Sequence, residues 1–283
     1  MVSGAFLFAL MGTFTHALGG RCDWRLTALA RAVFMFVSMV IAARLAGARL
    51  VFLKPGVLWV RSLAGSFSLV CAFYSLTRMP VAEVLTLTCT YPIWIVLMSW
   101  WTLRRAPSMA DLLAVLCGMA GVVLVEQPKL GQDRLAALVA LVSSVSTAVA
   151  MMGLHRLRDI DARAVVAHFA GVASVAAGAW LLGRGDLGSL VRTVAADPRA
   201  PWLLLGVGVT GTAGQLFLTK AYAAGAPAEV SVLALTQVVF AMGFDAVLWG
   251  RHMPPATFAG SILILIPTAW VTWRMGRARA PGP

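Results

Sequence analysis

Two glutamates stand inside apolar stretches of this chain, where an ionisable side chain is costly. Glu83 and Glu229 both occur in the pattern Ala-Glu-Val-x-x-Leu-x-x-Thr. A charge at the centre of a membrane-spanning helix costs about 2.5–3.5 kcal/mol on insertion scales. A carboxylate that faces an occluded cavity binds a proton readily, because desolvation disfavours its charged form. Both residues are therefore candidates for proton coupling. The alternative is capping, because acids in a first turn favour the positive end of the helix dipole, and Pro227 just precedes the second glutamate.

Basic side chains within the apolar stretches could hold an acidic group of a solute. Arg31 and Lys220 are candidate anchors for a carboxylate or phosphate. The alternative for both is snorkelling, in which the apolar stem stays in lipid and the charged head reaches the interface. Arg61 lies near the beginning of a span and is more typical of an interfacial anchor. His168 could titrate near neutrality, although a buried, hydrogen-bonded histidine is the more common arrangement.

Uncharged groups near the middle of the spans complete the candidate site. Pro92 lacks an amide hydrogen and is expected to kink its helix and act as a hinge. Tyr91 and Gln237 stand at corresponding mid-span positions, and Thr90 shares a helix face with Glu83. The candidate substrate-binding residues are Arg31, Tyr74, Thr90, Tyr91, His168, Lys220 and Gln237.

Helices that cross a membrane must position these residues. Hydrophobic residues form 60% of the 283 positions and charged residues 12%, which is about half the charged share of a soluble domain. One soluble core cannot bury that much apolar surface, so the bilayer must solvate the excess. Backbone polar groups in lipid must pair internally, which leaves helices or a closed barrel. The apolar stretches lack the alternation of barrel strands. The predicted fold class is therefore an all-α membrane protein.

Ten spans are predicted from the hydropathy, and their short connections make neighbouring helices antiparallel. The spans are 2–19, 26–45, 56–77, 80–101, 107–125, 134–154, 163–183, 201–223, 227–249 and 255–273. The longest connection, 184–200, carries Arg184 and Asp186, and a short interfacial helix is expected there. With the N-terminus inside, a small majority of the loop Lys and Arg residues lies on the cytoplasmic side, Arg104 and Arg105 among them.

The net charge of +12 does not indicate nucleic-acid binding, because Lys and Arg punctuate the apolar stretches rather than gather on one face. The four cysteines share no metal-ligand spacing, and neither a metal nor a cofactor is expected. The expected partners are a small-molecule substrate and the lipid bilayer. The sequence leaves open whether the protein forms a homodimer.

The chain also repeats itself. A shift of 146 residues lays spans three to five on spans eight to ten, so that the two Ala-Glu-Val patterns coincide. Gly65 then falls on Gly211, and Arg105 falls on Arg251. Because five spans per repeat is an odd number, the second copy must enter the membrane from the opposite side, as in many secondary transporters. The predicted units are residues 1–125 and 134–273, each of five helices, followed by a basic tail, 274–283.

Several short stretches resemble a known family. They are Arg61-Ser-Leu-Ala-Gly-Ser66, Ala72-Phe-Tyr-Ser-Leu76, Met79-Pro-Val-Ala-Glu83, Tyr91-Pro92 and the second-half run from Lys220 to Glu229. Together they resemble the EamA-type branch of the drug/metabolite transporter superfamily over the whole chain. Two features depart from it. The family often has Gly-Glu after spans four and nine, where this chain has Arg104-Arg105 and Gly250-Arg251. Span nine also lacks the proline of span four.

The resemblance implies ten helices around a central cavity, with spans five and ten at the periphery. It further implies transport of metabolites such as amino acids, driven by protons or by exchange. A bacterial inner (plasma) membrane location with both termini in the cytoplasm follows from the same likeness. The expected function is a secondary transporter, working as an exporter by alternating access.

Two other classes of function compete with transport. A membrane-embedded enzyme would need clustered chemistry such as a zinc-binding HExxH motif or a Ser/His site, and the sequence shows none. A scaffold subunit that transports nothing has no reason to keep polar groups at matching positions inside its spans. The sequence therefore favours a transporter over an enzyme or a scaffold.

Overall fold

The computed structural model of the protein describes residues 1–76, 78, 79, 81–103, 108–128, 133–183, 188, 192, 194, 196–250 and 252–279. All regular secondary structure in these ranges is helical, which confirms the predicted all-α class. Arg104, Arg105, Arg184, Asp186 and Arg251 lie outside the described residues. Most of the connection in which an interfacial helix is expected also lies outside them.

Most of the connections between the helices are short, and twelve helices follow one another in the described part of the chain. They are α1 (Val2–Leu18), α2 (Trp24–Leu45), α3 (Gly56–Leu76), α4 (Val81–Thr88), α5 (Tyr91–Leu103), α6 (Met109–Glu126), α7 (Arg134–His155), α8 (Ala162–Leu182), α9 (Ala200–Ala224), α10 (Pro227–Ala234), α11 (Thr236–Trp249) and α12 (Pro255–Arg279). A 3-10 turn, Gly19–Arg21, links α1 to α2. The sequence predicts a basic tail from residue 274, whereas α12 continues to Arg279.

Eight helical segments in the described part of the chain are long and apolar enough to cross a membrane. Two of them, 83–101 and 227–249, each combine two consecutive helices. Val2–Leu18 and Gly56–Ala72 are apolar but shorter. Large apolar side chains cover the outside, and Trp101 is 85% exposed. Such an exterior needs lipid around it, so the chain is an integral membrane protein. The count of ten spans stays a prediction.

Aspartate side chains cap the N-termini of α2 and α8, two of the helices around the cavity described below. The carboxylate of Asp23 accepts the backbone N–H of Arg25 at 2.8 Å, and that of Asp161 accepts the N–H of Arg163 at 2.7 Å. Each aspartate thereby satisfies one of the free N–H groups at a helix start, which is worth about 0.5–2 kcal/mol. α2 and α8 therefore begin in the same way, at the residue after the aspartate.

The most extensive helix contacts join the first half of the chain to the second. α3 packs on α7, α1 on α9, α2 on α8, and α6 on α12. In the last pair, a methyl group on Gly121 would lie 2.5 Å from the carbonyl oxygen of Gly260. A methyl group on Gly260 would lie 2.6 Å from the carbonyl oxygen of Gly121. Small residues allow helices in lipid to approach this closely.

Two of the predicted spans are interrupted. α4 and α5 are separated by Cys89 and Thr90, and α10 and α11 are separated by Leu235. At both interruptions a threonine hydroxyl donates to the carbonyl three residues earlier. Thr90 donates to Leu87 at 2.6 Å, and Thr236 donates to Leu233 at 2.7 Å. These bonds compete with the regular helix ladder, and the two interruptions stand 146 positions apart, which is the shift of the sequence repeat.

Pro92 is expected to kink the middle of one continuous span. It instead occupies the first turn of α5, just after the interruption at Cys89 and Thr90. The missing N–H of a proline costs no hydrogen bond in a first turn. The second interruption has no proline beside it, because Gln237 and Val238 occupy the corresponding positions. The role of Pro92 as a hinge stays a prediction.

Candidate functional site

A cavity of about 330 Å³ lies between α2, α3 and α8, at the end where α2 begins and where α3 and α8 end. This volume is at the lower end of the range for small-molecule sites. The mouth is aromatic and basic, with Trp24, Arg25, Tyr74, Arg78 and Trp180 in its wall. Deeper in, small side chains line the cavity, namely Ala28, Ser66, Ala173, Ala176 and Ala177.

The arginines at the mouth are held against aromatic rings. The guanidinium carbon of Arg78 lies 4.8 Å from the ring centroid of Tyr74, and that of Arg25 lies 5.6 Å from the ring of Trp24. Arg78 also lies 3.8 Å from a carboxylate oxygen of Asp133. Arg25 Nε in turn lies 3.7 Å from a carboxylate oxygen of Asp23, so each mouth arginine has a carboxylate and an aromatic ring as neighbours. The cation–π contacts hold the arginines in place, and the mouth suits a solute that has both a polar and an apolar part.

Arg31 lies one helical turn below Ala28, on the face of α2 that lines the cavity. Its Nε atom is buried and has no hydrogen-bond partner among the described residues. A methyl group on Gly211 of α9 would lie 3.0 Å from this Nε atom, so the missing side chain of the glycine makes room for the arginine. Arg31 thus lies just below the cavity, and its role as an anchor stays a prediction.

Arg61 corrects an expectation. The sequence favours an interfacial anchor near the beginning of α3, but the residue is only 1% exposed. Its guanidinium carbon lies 4.0 Å from the ring centroid of Phe169. A methyl group on Gly65, one turn further into the membrane, would lie 2.8 Å from its Nη1 atom. The side chain therefore runs inward along its own helix. The spacing Arg-x-x-x-Gly was the one signal in the sequence that could have indicated this path.

A polar stripe runs along α9. It consists of Thr212, Gln215, Thr219 and Tyr222, which fall within an arc of about 80° at 100° per residue. All four are at most 5% exposed. Thr212 Oγ1, Gln215 Nε2 and Thr219 Oγ1 have no hydrogen-bond partner among the described residues. Buried polar atoms are nearly always paired in proteins, so this stripe needs an explanation that packing does not supply. The spacing of these four residues at three, four and three positions is the signal in the sequence that indicates the stripe.

His168 is fully bonded inside the protein. Its Nδ1 lies 2.8 Å from the hydroxyl of Ser62, and its Nε2 lies 3.1 Å from the carbonyl oxygen of Phe52. The ring of Trp59 meets the imidazole edge-on at 4.7 Å between centroids. This is the buried, hydrogen-bonded alternative that the sequence leaves open, and it leaves neither ring nitrogen available to a solute in this conformation.

The two glutamates have different surroundings. Glu229 and Asp111 both accept hydrogen bonds from Nη2 of Arg274, so that one arginine joins the ends of α6, α10 and α12. This ion cluster lies at the end of the molecule opposite the cavity mouth, because α5 crosses back from that mouth before α6 begins. Glu83 is 2% exposed in the first turn of α4. Both glutamates thus occupy first turns, where capping and proton coupling remain open.

The other candidates are dispersed. The hydroxyl of Thr90 donates to the carbonyl oxygen of Leu87 and also lies 2.8 Å from the hydroxyl of Ser144. Tyr91 packs in the same apolar cluster as Tyr222, at the end of the polar stripe. Lys220 is exposed and Gln237 is half-buried.

Comparison with known proteins shows which family the chain belongs to. The model of the EamA-like transporter family matches residues 1–126 and 134–273. The chain belongs to the EamA-like transporter family. The resemblance seen in the sequence is therefore confirmed, and the chain is a membrane transporter.

Relatives of this transporter come from bacteria and animals. The pseudopaline exporter CntI of Pseudomonas aeruginosa is 26% identical over 270 residues, which cover 94% of this chain and 92% of that protein. An uncharacterized transporter of Helicobacter pylori is 25% identical over 213 residues, covering 72% of this chain and 69% of that protein. Mouse solute carrier family 35 member G1 is 22% identical over 298 residues, covering 96% and 77%.

A solved crystal structure has the same fold. It superposes with a TM-score of 0.80 at 19% identity and covers 98% of this chain and 96% of that one.

Within that fold, the EamA-like transporter brings Tyr74 into the cavity wall and Arg31 just below it. It places Tyr91 beside the polar stripe, and His168, Thr90 and Lys220 elsewhere.

Proposed function

We propose that the protein is a secondary transporter that moves a small polar metabolite with a carboxylate group, of the amino-acid type, by alternating access. The cavity between α2, α3 and α8 carries this proposal. Its mouth holds two arginines on aromatic rings, and a third arginine, Arg31, stands below it with an unpartnered Nε. A carboxylate would give that nitrogen the charge-assisted hydrogen bond that it lacks.

The two halves of the chain are proposed to be inverted repeats, residues 1–125 and 134–273. Three structural correspondences support this. The helix interruptions coincide under the 146-residue shift. α2 and α8 begin with the same aspartate cap. A methyl group added to Gly65 would meet Phe169 of α8, and one added to Gly211 would meet Arg31 of α2, so repeat-related glycines on α3 and α9 face repeat-related helices.

Alternating access explains the polar stripe. Under the 146-residue shift, Ser66 in the cavity wall corresponds to Thr212, the first residue of the stripe. α3 lines the cavity at the open end. If α9 lines an equivalent cavity at the opposite end, the polar stripe faces that cavity in the opposite-facing state. Thr212, Gln215 and Thr219 would then lack partners only while that end is closed.

The ion cluster is proposed to hold the closed end together. Arg274 joins Asp111 and Glu229, and so links three helices that must separate for that end to open. With both termini in the cytoplasm of a bacterial inner membrane, as proposed, the cavity opens away from the cytoplasm. Export is the proposed direction, and the exporter among the relatives supports it.

Uptake into proteoliposomes tests the proposal. Labelled amino acids, nucleosides and sugars are offered with and without a pH gradient, and saturable accumulation of the amino-acid class is expected. Arg31→Ala should weaken that substrate's binding by about tenfold or more, the cost of one lost charge-assisted bond. The matched control is Arg44→Ala, an exposed arginine at the far end of the same helix. Saturable transport of nucleosides or sugars alone, or an Arg31→Ala variant with normal affinity, would remove the carboxylate anchor. A folded protein that moves nothing would favour a scaffold.

A further inference from the structure

We propose that the transported solute carries two anionic groups and that Arg61 binds the second one. This inference rests on the proposed function, because it assigns a substrate class to the same site. The class is a short dicarboxylate, acidic amino acids included. The observation behind it is that two guanidinium groups in the central layer of the membrane are incompletely bonded: that of Arg61, a residue only 1% exposed, and that of Arg31, a half-buried residue whose Nε is buried.

The depth of the two groups follows from helix geometry. Gly65, which Nη1 of Arg61 adjoins, is the tenth residue of the 21-residue α3, about 14 Å along a helix about 30 Å long. Gly211, which Nε of Arg31 adjoins, is the twelfth residue of the 25-residue α9, about 17 Å along a helix about 37 Å long. Both guanidinium groups therefore lie near the middle of the bilayer.

Packing alone does not explain the path of Arg61. An arginine near the beginning of a span normally extends toward the closer membrane surface, where water solvates its charge. The side chain of Arg61 takes the opposite direction, toward Gly65. Its Nε and Nη1 atoms have no hydrogen-bond partner among the described residues, and its close neighbour is the ring of Phe169. A cation–π contact offsets only part of the cost of such a charge.

Phe169, whose ring packs on this guanidinium, is near the cavity in the fold. On α8 it lies one turn below Ala173, which is in the cavity wall, and on the same helix face. Arg31 lies one turn below Ala28 on α2 in the same manner. Arg31 and the ring of Phe169 therefore each lie about one helical turn below a residue of the cavity wall. A rotation of the Phe169 ring would open the way from the cavity to the second guanidinium.

The charge balance then selects the solute. A monocarboxylate bound at Arg31 would leave Arg61 buried and unpaired. A dicarboxylate neutralises both arginines, and each planar guanidinium can donate two parallel hydrogen bonds to a carboxylate. The small side chains around the lower cavity, Ala28 and Ala173 among them, suit a short apolar link between the two acidic groups.

Paired ligands that differ in one charge test this directly. The purified full-length protein is titrated with glutamate and glutamine, aspartate and asparagine, and succinate and succinamate. Binding is followed by tryptophan fluorescence, because Trp24 and Trp180 stand in the cavity wall. We expect at least one diacid to bind about tenfold or more tightly than its half-amide, the gain from one further charge-assisted pair.

Arginine variants test which residue causes the tighter binding of the diacid. Arg61→Gln should bring the diacid/half-amide ratio close to one while half-amide binding is unchanged, whereas Arg31→Gln should weaken both ligands. Arg156→Gln, an exposed arginine, is the control. If Arg61→Gln does not fold, Arg61→Lys should keep the charge and part of the preference. A wild-type ratio near one, an undiminished ratio in Arg61→Gln, or no binding of any of the three diacids would overturn the inference. The proposed function would still stand if saturable transport of monocarboxylate amino acids persisted.

Discussion

Replacing Gly121 by alanine should loosen the contact between α6 and α12. The added methyl group would lie 2.5 Å from the carbonyl oxygen of Gly260, about 0.9 Å inside an ordinary van der Waals contact. The obstacle is backbone, so the two helices must move apart. Overpacking of this kind costs about 1–3 kcal/mol, against a helix-propensity gain of at most about 1 kcal/mol from removing a glycine. We expect a net loss of up to about 2 kcal/mol.

Gly243→Ala is the matched control, because it also removes a glycine from a helix but nothing lies within 4 Å of the added methyl group. That variant should be neutral or more stable by up to about 1 kcal/mol. The two variants should therefore differ by the overpacking cost of about 1–3 kcal/mol, which is about 2–12 °C in the thermal unfolding of the detergent-purified proteins, at about 2–4 °C per kcal/mol.

The two glycines should also act on one another. In Gly121→Ala the helices have already moved apart, so adding Gly260→Ala should cost less than it does alone. Equal melting temperatures for Gly121→Ala and Gly243→Ala would refute the close backbone contact. Strict additivity of the two substitutions would show that the methyl groups act at separate places.

Three further outcomes follow from the polar groups. Glu83→Gln and Glu229→Gln should each abolish the pH dependence of proteoliposome uptake without preventing folding, and normal transport at every pH by both would leave only capping. Arg274→Gln should leave Glu229 and Asp111 unpaired and lower the melting temperature, and an unchanged value would show that the ion cluster does not hold the closed end. Thr90→Val and Thr236→Val each remove the hydroxyl bond to a carbonyl at a helix interruption, and Thr90→Val also removes the contact with Ser144, so stability should fall by about 1 kcal/mol or more. The rate of uptake should fall by more than the loss of folded protein accounts for. A rate equal to wild type in both variants would argue against hinges at the two helix interruptions.

Local sequence was sufficient for the helices whose ends carry a local signal. Hydropathy predicts that the second span begins at residue 26. In the structure α2 begins at Trp24, because the side chain of Asp23 caps the helix. The interruption at Leu235 carries no comparable signal, since neither proline nor glycine marks it. The threonine that bonds there, Thr236, is a residue that regular helices also contain.

The site depended on partners that are distant in the chain. Hydropathy places Arg61 near a span start, but the direction of its side chain is decided by Gly65 and by Phe169 in the other half of the molecule. Glu229 is predicted from its position in a repeat, and its partner Arg274 belongs to what the sequence indicates is a tail. Such pairings require the packing of α10 against α12, which no local pattern contains.

The contact between Arg61 and Phe169 also bears on how the chain is made. Ribosomes deliver α3 to the membrane long before α8 exists, so the newly inserted Arg61 has no aromatic ring to cover it. During that interval the side chain must extend to the near surface, as an isolated span requires. It can turn inward only when the second half arrives. The inward path of Arg61 is therefore a mark of completed assembly, and a separately expressed first half should keep this arginine accessible to water-soluble reagents.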